Sequence, residues 1–226
     1  MDGPVRIGDT VRRPVRPWTP AVHAVLRHLD KSGFAGAPRV LGIDEQGREI
    51  LTHIPGVDGR AAGCSDDANL IRVARMIREF HDALADFVPP AGISWRPEPA
   101  APPGNLICHN DLGPANTIYA GGRPRAFIDW DLTVPSTVEW ELSYAVRTFV
   151  PLYPDAECVR FGYRVEPRGR RLRLFCDAYG LADRSRLLAT VERRLDSEDT
   201  PFAARCRAFL RQHRQEWEQA VLPSRE

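Results

Sequence analysis

The pattern of apolar residues changes at Pro55-Gly56, and this change limits the folds open to the chain of 226 residues. Before that point, short runs typical of β-strands surround one helix. After it, apolar residues recur at helical spacing, with one hairpin near the middle. The sequence therefore predicts an α+β fold in two lobes: a small β-rich lobe and hinge over residues 1–56, and a larger helical lobe over residues 57–226.

Individual elements follow from the same patterns. In the first lobe we expect a hairpin turning at Gly8-Asp9, a helix from about Ala21 to Ser32, and strands at 39–42 and 49–52. The second lobe is predicted to contain a helix through 70–87 with Ser65, Asp66 and Asp67 as cap candidates, strands at 105–108, 117–119 and 125–128, and helices from Glu139 onward with breaks at Gly162 and Gly180.

Composition excludes several classes of function. The 31 basic and 30 acidic side chains give a formal charge of +1, so no overall field indicates binding to nucleic acid. No apolar run is as long as a membrane span, and we expect no membrane partner. The cysteines are odd in number, scattered and without a CxxC pair, which argues against disulfides or structural zinc and predicts a cytoplasmic protein. They are Cys64, Cys108, Cys158, Cys176 and Cys206.

The best candidates for catalytic and metal-binding residues lie in and after the segment 107–116. This segment has the spacing His-x-Asp-x4-Asn, and the predicted hairpin that follows it delivers Asp129. Phosphoryl transfer needs a carboxylate that accepts or orients a hydroxyl proton, and Asp111 suits that role. Magnesium prefers hard oxygen ligands, which Asn116 and Asp129 can supply from the two sides of one hairpin.

His109 completes the candidate catalytic pair with Asp111. It lies two residues before the carboxylate, where its ring can bond backbone groups, so bracing the loop suits it better than reacting. A different interpretation is that His109, Asp111 and Asn116 merely satisfy the backbone of a loop. Four matched positions, with Asp129 as the fourth, favour the functional interpretation.

The segment 107–131 closely resembles the catalytic loop of the aminoglycoside phosphotransferase and choline kinase superfamily, whose fold is protein-kinase-like. The resemblance implies that Asp111 is the catalytic base and that Asn116 and Asp129 bind Mg²⁺. It also implies ATP or GTP as the phosphoryl donor and a hydroxyl of a small molecule as the acceptor.

Weaker similarities extend this resemblance along the chain. Glu141 falls where the family has an Asp that braces the catalytic loop, and His81 ends a segment similar to the helix beneath that loop. The segment Leu51-Thr52-His53-Ile54-Pro55-Gly56 looks like the family's hinge. The resemblance therefore implies that Thr52, His53 and Ile54 contact the nucleotide.

The first lobe departs from the family pattern in two ways. Only nine residues precede the strand at Thr10, so the glycine-rich hairpin that covers phosphates is expected to be shortened or missing. The only lysine, Lys31, is unsuitable for phosphate, which leaves Arg12, or Arg13 on the opposite strand face, for that role. The helix near His23 offers no acid there, so the Lys–Glu ion pair of kinases has no obvious counterpart.

Two functions therefore stay open. The first is a phosphotransferase that moves the γ-phosphate of ATP or GTP to a small-molecule hydroxyl, such as that of an aminoglycoside-like compound, a sugar or an amino alcohol. The second is a catalytically weak nucleotide-binding, immunity or regulatory protein on the same fold. The first is favoured by Asp111, Asn116 and Asp129, and the second by the short first lobe.

The acceptor pocket is expected between the 107–131 segment and the helices after residue 139. Those helices carry arginines on one side and acids on the other, and which set faces the cleft would decide the charge of the acceptor. Asp177 and Tyr179 are the predicted lining, which would suit a cationic or polyhydroxylated acceptor.

Overall fold

A four-stranded antiparallel sheet and one helix form the first lobe of the structure, a computed structural model that describes residues 3–62, 66–98 and 100–222. The elements are β1 (Val5–Ile7), β2 (Thr10–Pro14), α1 (Thr19–Lys31), β3 (Val40–Ile43) and β4 (Arg48–Thr52). The strand order in the sheet is β1-β2-β4-β3. This lobe matches the predicted elements to within about two residues at each end.

Register within the sheet determines which side chains face the second lobe. The turn at Gly8-Asp9 is a two-residue turn between paired Ile7 and Thr10, and Gly8 has a φ of 60°, which favours glycine. Arg13 pairs with Glu49 across β2 and β4. Because directly paired residues of adjacent strands point to the same side of a sheet, Arg13 and Glu49 share one face.

Helix α1 packs its apolar stripe against the protein core. Val22, Val25, Leu26 and Leu29 are all buried, as their helical spacing predicts, and Pro20 lies in the first turn, where a missing N–H costs nothing. His23 is buried on the same helix. The helix thereby brings one polar ring to the inner side of the sheet.

The chain enters the second lobe at Gly56. Gly56 has a φ of 146°, and a Cβ at that position would lie 2.4 Å from the carbonyl oxygen of Tyr119. Only glycine fits such a close approach of two backbone segments. The approach allows the next strand to pair with the central hairpin of the second lobe.

The second lobe is mainly helical and contains two small sheets. Its elements are β5 (Val57–Asp58), α2 (Gly59–Ala62), α3 (Asp67–Ala83), β6 (Leu106–Cys108), β7 (Thr117–Ala120), β8 (Arg123–Phe127), β9 (Val134–Ser136), α4 (Val138–Phe149), α5 (Asp155–Arg160), α6 (Arg168–Tyr179), α7 (Leu187–Asp196) and α8 (Pro201–Val221). The sheets have the orders β5-β7-β8 and β6-β9. Helix α6 packs between α3 and α8, and α7 between α4 and α8. The predicted α+β fold with a small sheet lobe and a helical lobe is confirmed.

Some boundaries differ from the prediction. Helix α3 ends at Ala83 rather than at 87, and Asp66 caps it by accepting a hydrogen bond from the N–H of Asn69 at 2.9 Å. Ser65, another cap candidate, and Cys64 lie outside the described residues. Strands β5 and β9 were not predicted, because two or three residues are too few to show a strand period. Across the described ranges, no helix is both long and apolar enough to cross a membrane.

Candidate active site

Two turns of the second lobe meet at one edge of a cleft between the lobes. One follows β6 and contains Asp111; the other follows β8 and contains Asp129. The N–H of Ile128 donates to the carbonyl of Asn116 at 2.9 Å, which ties the turns together. Among the described residues other than glycine, positive φ occurs at Asn110 (67°) and Asp129 (63°). Strained backbone of this kind is concentrated at functional sites.

The carboxylate of Asp111 is held by two hydrogen-bond donors. The amide nitrogen of Asn116 donates to its Oδ2 at 2.7 Å and to the Asp111 carbonyl at 3.0 Å. The hydroxyl of Tyr144 on α4 also bonds Asp111, and burial together with the nearby charge of Asp111 raises the pKa of Tyr144 to about 12. Tyr144 therefore stays protonated and donates, a contact that the sequence analysis did not foresee.

His109 is fully buried, and its position fits the bracing role expected for it, so its place in the candidate catalytic pair is corrected to that of a positioning residue. Its Nε2 donates to the Ile128 carbonyl at 3.0 Å, while its Nδ1 accepts from the N–H of Asp111 at 3.3 Å. Burial lowers the pKa of the imidazole, which fits the neutral ring that this pattern requires. Because both ring nitrogens are engaged with backbone, His109 positions the loop and has no free atom for a reacting group.

Glu141 holds the same loop from beneath, at the position predicted for it. Its carboxylate is fully buried and accepts from the N–H groups of His109 at 3.2 Å and Asn110 at 2.8 Å. Burial raises its pKa to about 7, although these hydrogen bonds and the charge of Arg194 act in the opposite direction. Arg194 on α7 donates to the carbonyls of Asn110 and Trp140. Arg194 lies far from the loop along the chain, so no sequence pattern predicted this contact.

Arg13, rather than Arg12, faces the cleft. Its Nε donates to Glu49 at 2.8 Å, its Nη1 to Asp129 at 3.0 Å and its Nη2 to Asp131 at 2.9 Å. Arg12 lies on the other face of β2, 3.5 Å from Asp44, so the structure corrects its assignment to the nucleotide.

Glu49 is a further residue that sequence reasoning missed. Its carboxylate is 1% exposed and bonds both Arg13 and the Nε2 of His23, the latter at 2.8 Å. Burial acts to raise the pKa of Glu49, but the hydrogen bond from His23 and the charge of Arg13 outweigh it, and the pKa is lowered. Burial also raises the pKa of Asp131, despite the charge of Arg13.

The cleft has a volume of about 400 Å³ and is lined by all three predicted hinge residues, Thr52, His53 and Ile54. The N–H groups of Thr52 and His53 donate to carbonyls of Arg39 and Asp9. Within the described part of the chain, the N–H of Ile54 has no protein acceptor. Apolar walls lie on both sides of the hinge and are formed by Val11, Leu51, Ile118 and Ile128. Such a site can take a flat heterocycle between its walls.

The residues at the inner end of the cleft fit a magnesium ion. Asn116 turns its amide nitrogen to Asp111, so its oxygen is the atom available to a cation. Asp129 is half exposed to the cleft. Over the ranges that the structure describes, no three His, Cys, Asp or Glu side chains form a metal cluster. Two protein ligands, with the rest from water and phosphate, are what Mg²⁺ commonly takes.

Three predicted residues lie away from these turns. His81 bonds the hydroxyl of Tyr179 at 2.8 Å inside the core, and burial lowers its pKa to about 3. The support that α3 gives the site comes from Phe80, whose ring packs edge-on against Trp130 at 5.2 Å. Asp177 pairs with Arg184 at 2.6 Å on an exposed face of α6. The structure thus corrects the assignment of Asp177 and Tyr179 to an acceptor pocket, and of His81 to the loop itself.

Comparison with known proteins identifies the family of this chain. The model of a family described as "Phosphotransferase enzyme family" matches residues 94–187. A trifolitoxin immunity protein from Rhizobium leguminosarum bv. trifolii is 37% identical over 187 residues, which are 80% of this chain and 71% of the relative. The chain belongs to the phosphotransferase enzyme family. The resemblance of segment 107–131 to this family is thereby confirmed.

Solved structures support the fold of this phosphotransferase family member. Choline kinase from Cryptosporidium parvum Iowa II superposes with a TM-score of 0.57 at 13% identity, over 95% of this chain and 84% of the other. An AMP-bound spectinomycin phosphotransferase superposes with a TM-score of 0.55 at 13% identity, over 94% of this chain and 82% of the other. At these identities the likeness concerns the fold alone.

Proposed function

We propose that this protein transfers the γ-phosphoryl group of ATP or GTP to a hydroxyl of a small molecule, with Mg²⁺. The observation that carries this proposal is the arrangement of Asp111. Its carboxylate is fixed by Asn116 and Tyr144 beside the turn that bears Asp129, at the inner end of a cleft of about 400 Å³. Carboxylate, amide and second carboxylate are the groups that phosphoryl transfer requires.

The nucleotide base would lie between the apolar walls of the cleft. There the free N–H of Ile54 can donate to an acceptor atom of the heterocycle, as backbone groups of ligand sites commonly do. The phosphates would extend toward Arg13, whose guanidinium group can contact two oxygens at once. The spectinomycin phosphotransferase with a similar fold is described as AMP-bound, which supports a nucleotide as the ligand of this chain.

Asn116 and Asp129 would hold Mg²⁺, which neutralises charge on the phosphate oxygens when bound. Asp111 would orient the acceptor hydroxyl and accept its proton. The acceptor oxygen forms a bond to the γ-phosphorus, and the bond from that phosphorus to the β–γ bridging oxygen breaks, which releases the nucleoside diphosphate. Tyr144 and Asn116 keep the Asp111 carboxylate in place for this step.

The test is a phosphorylation screen of sugars, amino alcohols and aminoglycosides with γ-labelled ATP and GTP. We expect Mg²⁺-dependent label transfer to at least one compound class by the wild type and none by Asp111→Asn. Equal label transfer by both proteins would exclude Asp111 as the base. Absence of nucleotide binding by the wild type would exclude the proposed function itself.

A second candidate is immunity without catalysis. It is favoured by the 37% identity to a protein named for immunity to trifolitoxin. Expression of the wild type and Asp111→Asn in a trifolitoxin-sensitive strain separates the candidates. Protection by both proteins would indicate that binding is enough, whereas protection by the wild type alone would indicate that phosphoryl transfer is needed.

We further propose that the protein acts in the cytoplasm. Within the described ranges, Cys108, Cys158, Cys176 and Cys206 are free and buried, as suits a reducing compartment. Fractionation of the native host with an antibody to the protein would test this placement.

A further inference from the structure

The arginine that faces the cleft is anchored by an acid on strand β4. We propose that Glu49, itself held by His23, is a positioning residue that sets the guanidinium of Arg13 for the nucleotide phosphates. This inference rests on the proposed function, because it concerns the same cleft.

The contacts of the Arg13 guanidinium extend to both lobes. On the first lobe, Nε donates to Oε1 of Glu49 at 2.8 Å, and Nη2 lies 2.8 Å from the same oxygen. Toward the second lobe, Nη1 and Nη2 reach Asp129 and Asp131 at 3.0 and 2.9 Å. One edge of the planar group is therefore fixed on its own lobe, and the other edge points at the inner end of the cleft.

The second oxygen of Glu49 fixes the carboxylate in turn. Oε2 lies 2.8 Å from Nε2 of His23, and both side chains are about 5% exposed or less. A buried carboxylate is costly unless every oxygen has a partner, and here helix α1 supplies one partner and β2 the other. The trio His23, Glu49 and Arg13, hereafter the Arg13 trio, thus links α1, β4 and β2.

Removal of the negative charge of Glu49 would change the position of the Arg13 guanidinium group. Its remaining carboxylate partners would be Asp129 and Asp131, both on the second lobe. Arg13 would then be drawn onto Asp129, where it competes with a cation and is withdrawn from the phosphates. The expected defect is specific: weaker nucleotide binding and a higher Mg²⁺ requirement, with the acceptor KM unchanged.

The experiment is a double-mutant cycle on nucleotide affinity, measured with Mg²⁺ and ATP or GTP, together with steady-state kinetics. Glu49→Gln should weaken nucleotide binding about tenfold, and Arg13→Gln at least as much. If Glu49 acts through Arg13, the double variant should be no weaker than Arg13→Gln alone. The matched control is Arg12→Gln, which breaks the pair with Asp44 on the other face of β2 and should leave affinity unchanged.

Glu49→Gln with wild-type nucleotide affinity, or losses that multiply in the double variant, would overturn the inference while the proposed function stands. A wild type that binds neither nucleotide would overturn both. If Glu49→Gln does not fold, Glu49→Asp serves in the same cycle, because it keeps the charge and shortens the reach to Arg13. The same affinity for Glu49→Asp as for the wild type would also count against the positioning role.

Discussion

The catalytic loop (residues 107–116) and the Arg13 trio are built in different ways, although both contact Asp129 or its neighbours at the inner end of one cleft. The loop takes its functional groups from ten consecutive residues and is held by Glu141 and His109, both fully buried. The trio takes its groups from a strand, a helix and a second strand, and no two of its members are closer than ten positions in the chain.

This difference shows which parts of a site a sequence can reveal. Residues whose roles depend on one backbone conformation must keep a fixed spacing, so they form a motif that can be seen in the sequence. Residues that meet only in the folded structure can lie on different elements at any spacing, provided that each buried charge has a partner. Single substitutions in the loop should therefore act mainly on catalysis, and single substitutions in the trio mainly on nucleotide binding.

The largest effect on activity is expected from a substitution of Asp111 in the catalytic loop. Asp111→Asn keeps an oxygen that can accept from Asn116 and Tyr144, so the melting temperature should stay within about 2 °C of the wild type. Loss of the proton acceptor should lower kcat on a confirmed acceptor about 10³-fold. Label transfer and thermal melting measure both quantities. A wild-type kcat would show that another group accepts the proton.

The next effect comes from Asp129, where the two regions meet. Asp129→Ala removes a charged ligand and should weaken Mg²⁺-dependent nucleotide binding on the order of 100-fold. Asp131→Asn is the matched comparison, because Asp131 also bonds Arg13 but has no predicted contact with Mg²⁺. Calorimetric titration of nucleotide with and without Mg²⁺ separates the two. Equal losses in both variants would mean that these acids serve Arg13 alone.

A smaller effect concerns Glu141, the buried carboxylate that holds the loop, and the dependence of stability on pH. Because the pKa of Glu141 is raised from 4.5 to about 7, the folded protein binds an extra proton between these values. Its contribution to stability is therefore present at low pH and is lost as the pH rises through about 7. Between about pH 5 and about pH 8 the free energy of unfolding should fall by about 2–3 kcal/mol from this group.

Glu141→Gln removes that titration and gives the control. Urea unfolding of both proteins at the two pH values should show a difference in stability between them that depends on pH in this direction. The same pH slope in both proteins would mean that Glu141 is charged throughout this range.

The smallest effect should come from Asp177, which the sequence placed at the acceptor. Its carboxylate pairs with Arg184 on an exposed face of α6, so Asp177→Asn should leave kcat and the acceptor KM unchanged. Steady-state kinetics with a confirmed acceptor measure this. A raised KM for a cationic acceptor, sensitive to salt, would restore Asp177 to the pocket.

Much of the fold and of the loop was predictable from the sequence. Local propensity predicted the hairpin at Gly8-Asp9 and the change of pattern at Pro55-Gly56. The spacing of one motif, with the hairpin after it, predicted the site residues Asp111, Asn116 and Asp129, and the structure brings Asn116 into contact with Asp111. The place of Glu141 beneath the loop also followed from its position after the motif.

The rest depended on packing between distant elements. The choice between Arg12 and Arg13 depends on which face of the first-lobe sheet is turned to the cleft, and the alternation of side chains along β2 leaves this open. Glu49 and Arg194 lie in ordinary strand and helix patterns, and only their burial beside other charges marks them. Tyr179 looked like a wall of a pocket, but its hydroxyl is directed to His81 in the core.

The central claim is that the loop and the Arg13 trio jointly hold a magnesium nucleotide, and calorimetric titration of the wild type tests it most directly. Titration of ATP or GTP in Mg²⁺ should show saturable binding that weakens strongly when EDTA replaces the metal, and in both Asp129→Ala and Arg13→Gln. Absence of binding at millimolar nucleotide, or binding that neither substitution alters, would contradict the claim.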